Sequence, residues 1–241
     1  MTCNHSRRPI LRMWTGRVVL APFAAVCVAG AAQAGALPDP EFSGQIGVAT
    51  ENVGKGLGKS DGELSVSGSV GAAMSDFYAE FGGSTVDLSG GADSELVTTI
   101  GYAPEIGGFE FDFSALHKVF TGTVAGYDNR FMEYQADVSR DIGPVGVRLR
   151  VNYTPDGSGS TEEAWWLEAQ GGIALDDRTK ATVALGERIT DTGAEYTAWN
   201  AGVKRKLADA VALDLRWYDT DQHALGERYE GRLVGALTYA F

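Results

Sequence analysis

Val145-Gly146-Val147-Arg148-Leu149-Arg150-Val151-Asn152-Tyr153-Thr154 alternates in character at every step. Val145, Val147, Leu149, Val151 and Tyr153 fall on one side, and Gly146, Arg148, Arg150, Asn152 and Thr154 on the other. Successive side chains of an extended strand point to opposite faces, so these ten residues predict a strand with one oily and one polar face.

The same period spreads outward in both directions. Leu64, Val66, Gly68 and Val70 alternate with serines, and Phe109, Phe111 and Phe113 alternate with Glu110, Asp112 and Ser114. Val211, Leu213, Leu215 and Trp217 alternate with Ala212, Asp214, Arg216 and Tyr218. The last segment sets Tyr229, Leu233, Leu237, Tyr239 and Phe241 against Glu230, Arg232 and Thr238. Helical spacing is sustained nowhere. Twelve such segments are expected, beginning near Phe42, Glu63, Phe77, Ser94, Phe109, Arg130, Val145, Ala164, Lys180, Tyr196, Val211 and Tyr229. Each is roughly 9–12 residues, the length a tilted strand needs to cross a bilayer. The fold expected is all-β, an antiparallel transmembrane barrel of about 12 strands, the even number usual for single-chain bacterial outer-membrane barrels.

Connections and aromatics support a membrane barrel over a soluble sandwich, which would need a second layer over each oily face. The even-numbered connections are tight, and most odd-numbered ones are longer: 51–62, 121–129, 155–163, 190–195 and 220–228. Short periplasmic turns alternating with long outer loops are a feature of such barrels. With that topology Trp165, Trp199, Trp217, Tyr153 and Tyr229 form an outer girdle. Phe42, Phe77, Tyr102, Phe109, Tyr239 and Phe241 form the periplasmic one. Leu237, Tyr239 and Phe241 also give the alternating aromatic ending expected to engage the barrel-assembly machinery.

The first 34 residues read as a secretory leader. Arg7, Arg8, Arg12 and Arg17 precede an apolar run over 18–29, and Ala32-Gln33-Ala34 ends it with small residues at a cleavage site. The run falls short of the ~20 residues of a spanning helix, which disfavours an uncleaved anchor. Cleavage after Ala34 leaves residues 35–241 as the barrel and removes both cysteines, Cys3 and Cys27. The mature chain then has no thiol chemistry, and 16 basic against 32 acidic residues, a net charge of −16. Such acidity disfavours nucleic acid as a partner. The expected location is the outer membrane of a Gram-negative bacterium, with lipid and lipopolysaccharide around the barrel.

The loop Thr50-Glu51-Asn52-Val53-Gly54-Lys55-Gly56-Leu57-Gly58-Lys59-Ser60-Asp61-Gly62 resembles the opening of the TorF family of porins. Lys55-Gly56 takes the place of that family's Arg-Gly, and Leu57 its aliphatic residue; Asn52, Gly58 and Lys59 depart from its pattern. Asp76-Phe77-Tyr78-Ala79 is similar to the family's third strand, Ser94-Glu95-Leu96 leading to Gly101-Tyr102 to its fourth, and Glu133 falls where its sixth carries an acid. The resemblance implies an outer-membrane barrel of porin type.

On a barrel the polar face lines the lumen. Glu80, Glu110, Asp112, Glu133, Asp137, Arg148, Arg150, Glu168, Arg216, Glu230 and Arg232 are its expected charges, joined by Glu95, Lys118, Lys204 and Asp214. They suit a hydrated channel for small polar solutes or ions. The same charges suit pairs that brace a closed lumen, because buried charges need partners; Glu133 and Asp137 are expected to face Arg148 and Arg150. A plugged, surface-binding barrel is therefore the alternative. No enzyme activity is expected: Ser114 and His117 are three apart and face opposite sides of a strand. No cofactor or metal is expected either. Asp219, Asp221 and Glu227 read as solvated loop charges, and Gly54-Lys55-Gly56 opens no helix that would bind phosphate.

Overall fold

The computed structural model describes residues 39–241. The expected leader and cleavage site, with Cys3, Cys27 and Ala34, lie outside the described residues.

Twelve long strands carry the described residues: β1 (Glu41–Ala49), β2 (Ser65–Met74), β3 (Phe77–Leu88), β4 (Ala92–Tyr102), β5 (Phe109–Thr121) and β6 (Arg130–Ile142), then β7 (Val145–Thr154), β8 (Ala164–Asp176), β9 (Thr179–Thr190), β10 (Tyr196–Lys206), β11 (Val211–Thr220) and β12 (Arg232–Ala240). Each pairs antiparallel with its neighbours in sequence, and β1 pairs with β12, so the sheet closes into a barrel without edges. Phe241 completes the seam by exchanging backbone hydrogen bonds of 2.8 and 2.9 Å with Gly44.

The alternation predicted for Val145–Thr154 is the observed one. Arg148, Arg150, Asn152 and Thr154 are buried in the interior, while Leu149 and Val151 face out. Around the ring Val70, Phe81, Ile100, Val183, Leu185, Leu215 and Leu233 are each at least half exposed. Apolar exposure on this scale, wrapped round a polar interior, is stable only against hydrocarbon. Trp165, Trp199, Trp217 and Tyr153 lie on outward positions near the long-loop end. Phe77, Tyr102, Phe109, Tyr239 and Phe241 lie near the short-turn end. The bands are internally packed: Tyr153 on Trp165 at 4.4 Å between ring centroids, Phe77 on Tyr102 at 4.7 Å and Tyr239 on Phe241 at 6.0 Å. Leu185, mid-strand and outward, gives a direct check on this band. Leu185→Arg should lower the stability of the lipid-folded barrel by about 2–4 kcal/mol, read by urea unfolding in vesicles; an unchanged midpoint would mean that the face does not meet lipid.

Three strands start one or two residues earlier than the sequence reading has them, at Glu41, Ala92 and Thr179, and two start later. β2 begins at Ser65 rather than near Glu63, because Ser60 and Glu63 close a turn on each other through two hydrogen bonds. β12 begins at Arg232 rather than near Tyr229, because Glu227–Tyr229 forms a short 3-10 turn. Two residues move with that turn. Tyr229 packs inward against Trp166, Tyr196 and Leu57 instead of joining the outer girdle. Glu230 is exposed in the last outer loop instead of lining the lumen.

Candidate functional site: a lumen crossed by the first outer loop

The outer loop between β1 and β2 does not rise away from the barrel; it folds into it. Glu51, Asn52, Leu57, Gly58 and Ser60 are all buried. Val53–Gly54 pairs with Leu57–Gly58 as a two-residue hairpin. Lys55 and Gly56 turn it, both with positive φ (52° and 84°), as the twist of such tight hairpins requires. Gly56 is also dictated by proximity, because a Cβ there would stand 2.3 Å from the Ala198 Cβ on β10.

The loop is anchored on opposite walls. On one side Asn52 Nδ2 donates to Ser84 Oγ (3.0 Å) and the Thr85 carbonyl (3.2 Å) on β3, and Lys59 pairs with Glu95 on β4. On the other side Tyr196 Oη on β10 donates to the Lys55 carbonyl (2.9 Å), and Arg228 Nε donates to the Gly58 carbonyl (2.8 Å). Arg232 on β12 pairs with Glu51. Leu57 inserts among Trp166, Tyr196 and Ala198 on β8 and β10. Strands β4 and β10 are six apart in a ring of twelve, so the loop spans the bore.

Lys55 reaches the third anchor, Glu133 on β6. Glu133 Oε1 also accepts from Lys118 Nζ on β5 (2.9 Å) and from Asn152 Nδ2 on β7 (3.1 Å). Glu133 thus gathers two ammonium groups and an amide, which offsets the cost of burying its charge.

Nearer the short turns the inward side chains of nearby strands tie the wall together. Arg150 grips Asp137 with two hydrogen bonds, 2.8 and 2.6 Å, and both side chains are 6 % exposed. Arg148 pairs with Glu168 on β8. Arg216 donates to Asn200 Oδ1 (2.7 Å) and Thr182 Oγ1 (2.8 Å) and lies 3.4 Å from Asp214. Tyr78 Oη donates to Asp112 at 2.9 Å. Glu80 and Glu110 also take inward positions of their strands, and Ser139 Oγ lies 3.3 Å from Glu110.

Of the four residues expected to face one another across β6 and β7, only Asp137 and Arg150 do so. The register sets Arg148 opposite Ser139 and Asn152 opposite Gln135. Glu133 is therefore left to the lysines and Arg148 to the next strand. Lys55 and Gly56, read as a family-like loop, form the tip of the inserted hairpin. The residues that sequence reasoning passed over are Glu51, Leu57 and Lys59. For the loop's lysines the one signal is charge. The six outer connections (50–64, 89–91, 122–129, 155–163, 191–195 and 221–231) hold twelve acidic residues and three basic ones. Two of those three are Lys55 and Lys59.

Ser114 faces the lumen and His117 the outer surface, so the two do not meet. His223 Nε2 lies 2.6 Å from Asp219 Oδ1, and Asp221 Oδ1 accepts from the Thr197 amide at 2.9 Å.

Solved structures similar to this fold are outer-membrane barrels. The KdgM porin aligns with a TM-score of 0.60 at 8 % identity, over 83 % of this chain and 99 % of its own. The NanC porin gives 0.56 at 8 %, over 83 % and 99 %. An outer membrane channel from Pseudomonas putida F1 gives 0.50 at 14 %, over 85 % and 96 %. At these identities the likeness concerns the fold. No curated protein matches the chain by sequence. The family model described as "Bacterial protein of unknown function (Gcw_chp)" matches residues 33–235.

Proposed function

This chain belongs to the Gcw_chp family of bacterial proteins of unknown function, and from that starting point we propose that it is an outer-membrane channel for small polar solutes or ions, narrowed by its own first outer loop. The observation that carries this reading is the inward hairpin at Lys55-Gly56 inside a charged, polar bore. Eight strands leave almost no opening and sixteen leave a wide aqueous one, so twelve with an inserted loop suit a narrow passage. A polar bore inside an apolar exterior is the arrangement of a conducting barrel. The TorF resemblance and the fold of the similar porins point the same way.

In this account the leader is removed near Ala34 and the chain is exported across the inner membrane. The C-terminal strand with Leu237, Tyr239 and Phe241 then engages the barrel-assembly machinery. The girdle residues settle the barrel in lipid and lipopolysaccharide.

A second reading has one observation in its favour. The loop bridges β4 and β10 with a buried ion pair at one end and a hydrogen bond at the other, as a permanent plug would, leaving the outer loops as the working surface. Single-channel recording separates the two readings. The folded mature protein in a planar bilayer should give reproducible steps of low conductance. A barrel verified as folded that gives no steps would establish the plug.

A further inference from the structure

The geometry points to an ammonium-binding site at Glu133 and Asn152, occupied in the resting barrel by the chain's own Lys55, which an organic amine entering from outside displaces. The inference rests on the channel reading only for the route the amine takes; the site itself is read from the lumen wall.

Three observations carry it. First, the site already binds an ammonium group: the Lys55 side chain reaches it from the loop tip and pairs with Glu133, whose own side chain is 4 % exposed. The Lys55 side chain as a whole remains 32 % exposed, so the loop tip does not seal the site. Second, an acceptor is left over. Asn152 is 3 % exposed, and its Nδ2 donates to Glu133 Oε1 and Gln135 Oε1, each at 3.1 Å, which fixes the orientation of the amide. Its Oδ1 has no hydrogen-bond partner among the described residues. A buried amide oxygen without a donor is costly, and one beside a carboxylate that holds ammonium groups suits the N–H of a ligand. Third, the approach is selective. The twelve acidic and three basic residues of the outer connections make a mouth that concentrates cations.

Charge accounting favours exchange over addition. Lys118 and Arg188 both repel the Lys55 ammonium while Glu133 attracts it, so a further cation added beside Lys55 would be repelled as well. An amine replacing Lys55 keeps Glu133 compensated, whereas removing Lys55 with nothing in its place withdraws one of its two ammonium partners. The hairpin would lose one of its anchors in the exchange, so amine binding would loosen the constriction that the amine must pass.

The test uses the full-length folded barrel in detergent and n-butylammonium as probe, with tetramethylammonium, which has no N–H, as control. Calorimetry should detect n-butylammonium binding to the wild type and about tenfold tighter binding to Lys55→Met, since a tethered competitor has been removed. Lys118 still pairs with Glu133 in that variant, so the barrel should fold. Glu133→Gln should abolish binding, and tetramethylammonium should not bind. Equal affinity for wild type and Lys55→Met, no binding to either, or equal binding of both probes would overturn the inference. Binding is measured without conductance. A barrel that binds but never conducts removes the channel reading alone, and one that conducts but does not bind removes this inference alone.

Discussion

Gly56→Val should raise single-channel conductance several-fold while leaving the barrel folded. The hairpin tip sits against β10 at a place with no room for a side chain: a Cβ on Gly56 would stand 2.3 Å from that of Ala198. Backbone strain acts in the same direction. The φ of Gly56 is +84°, where an L-residue costs about 1–2 kcal/mol, and valine is among the worst tolerated. The strain cannot relax into the wall, because Ala198 is itself buried in a paired strand. The loop has a simple escape, which is to withdraw toward the solvent from which it enters. Withdrawal breaks the Lys55 and Lys59 pairs and removes Leu57 from Trp166 and Tyr196. None of these contacts holds two strands of the wall together, so the barrel should persist. Planar-bilayer recordings of the variant beside the wild type check this. Unchanged conductance from a folded variant would show that the hairpin does not limit the bore.

The second large effect is on stability. Arg150→Met should cost about 3 kcal/mol, because it leaves the Asp137 carboxylate buried with its bidentate partner gone. Both side chains are 6 % exposed, so bulk water does little to replace the lost bonds. Adding Asp137→Asn to the same chain should recover much of the loss, since the uncompensated charge is then absent as well. Urea titrations followed by tryptophan fluorescence, with Asp137→Asn alone as the fourth species, give the four free energies and their coupling. A loss below about 1 kcal/mol would place the pair in well-hydrated surroundings, as for a surface ion pair.

What was legible in the sequence was whatever depends on local period. Phe77, Phe109, Arg130, Val145, Ala164, Tyr196 and Val211 begin strands where the alternation says they should. A strand with one polar and one apolar face fixes its own phase, since a slip of one residue would expose every wrong side chain. The wall of the candidate site was legible for the same reason, because inward positions follow from parity. The direction of the first outer loop was not. Lys55-Gly56 reads as a turn from its residues alone, but whether that turn points out or in depends on Leu57 meeting Trp166, Tyr196 and Ala198, more than a hundred residues away. No local pattern encodes that meeting. Tyr229 misleads for a related reason. It has the parity of an outward residue of β12, but a 3-10 turn resets the parity just before the strand begins. Partner choice failed where parity was not enough. Glu133 and Arg148 both face the lumen, yet only the register shows them to be too far apart along the strands to pair.

The position of the first outer loop is tested most directly by zero-length carbodiimide cross-linking of the barrel in native membranes, with linked peptides identified by mass spectrometry. The account predicts Lys55 joined to Glu133 and Lys59 joined to Glu95, because each pair is in direct contact across the lumen. Lysines joined only to carboxylates of the outer loops, such as Asp61, Glu63 or Glu195, would put the hairpin outside the bore and contradict a channel narrowed by its own loop.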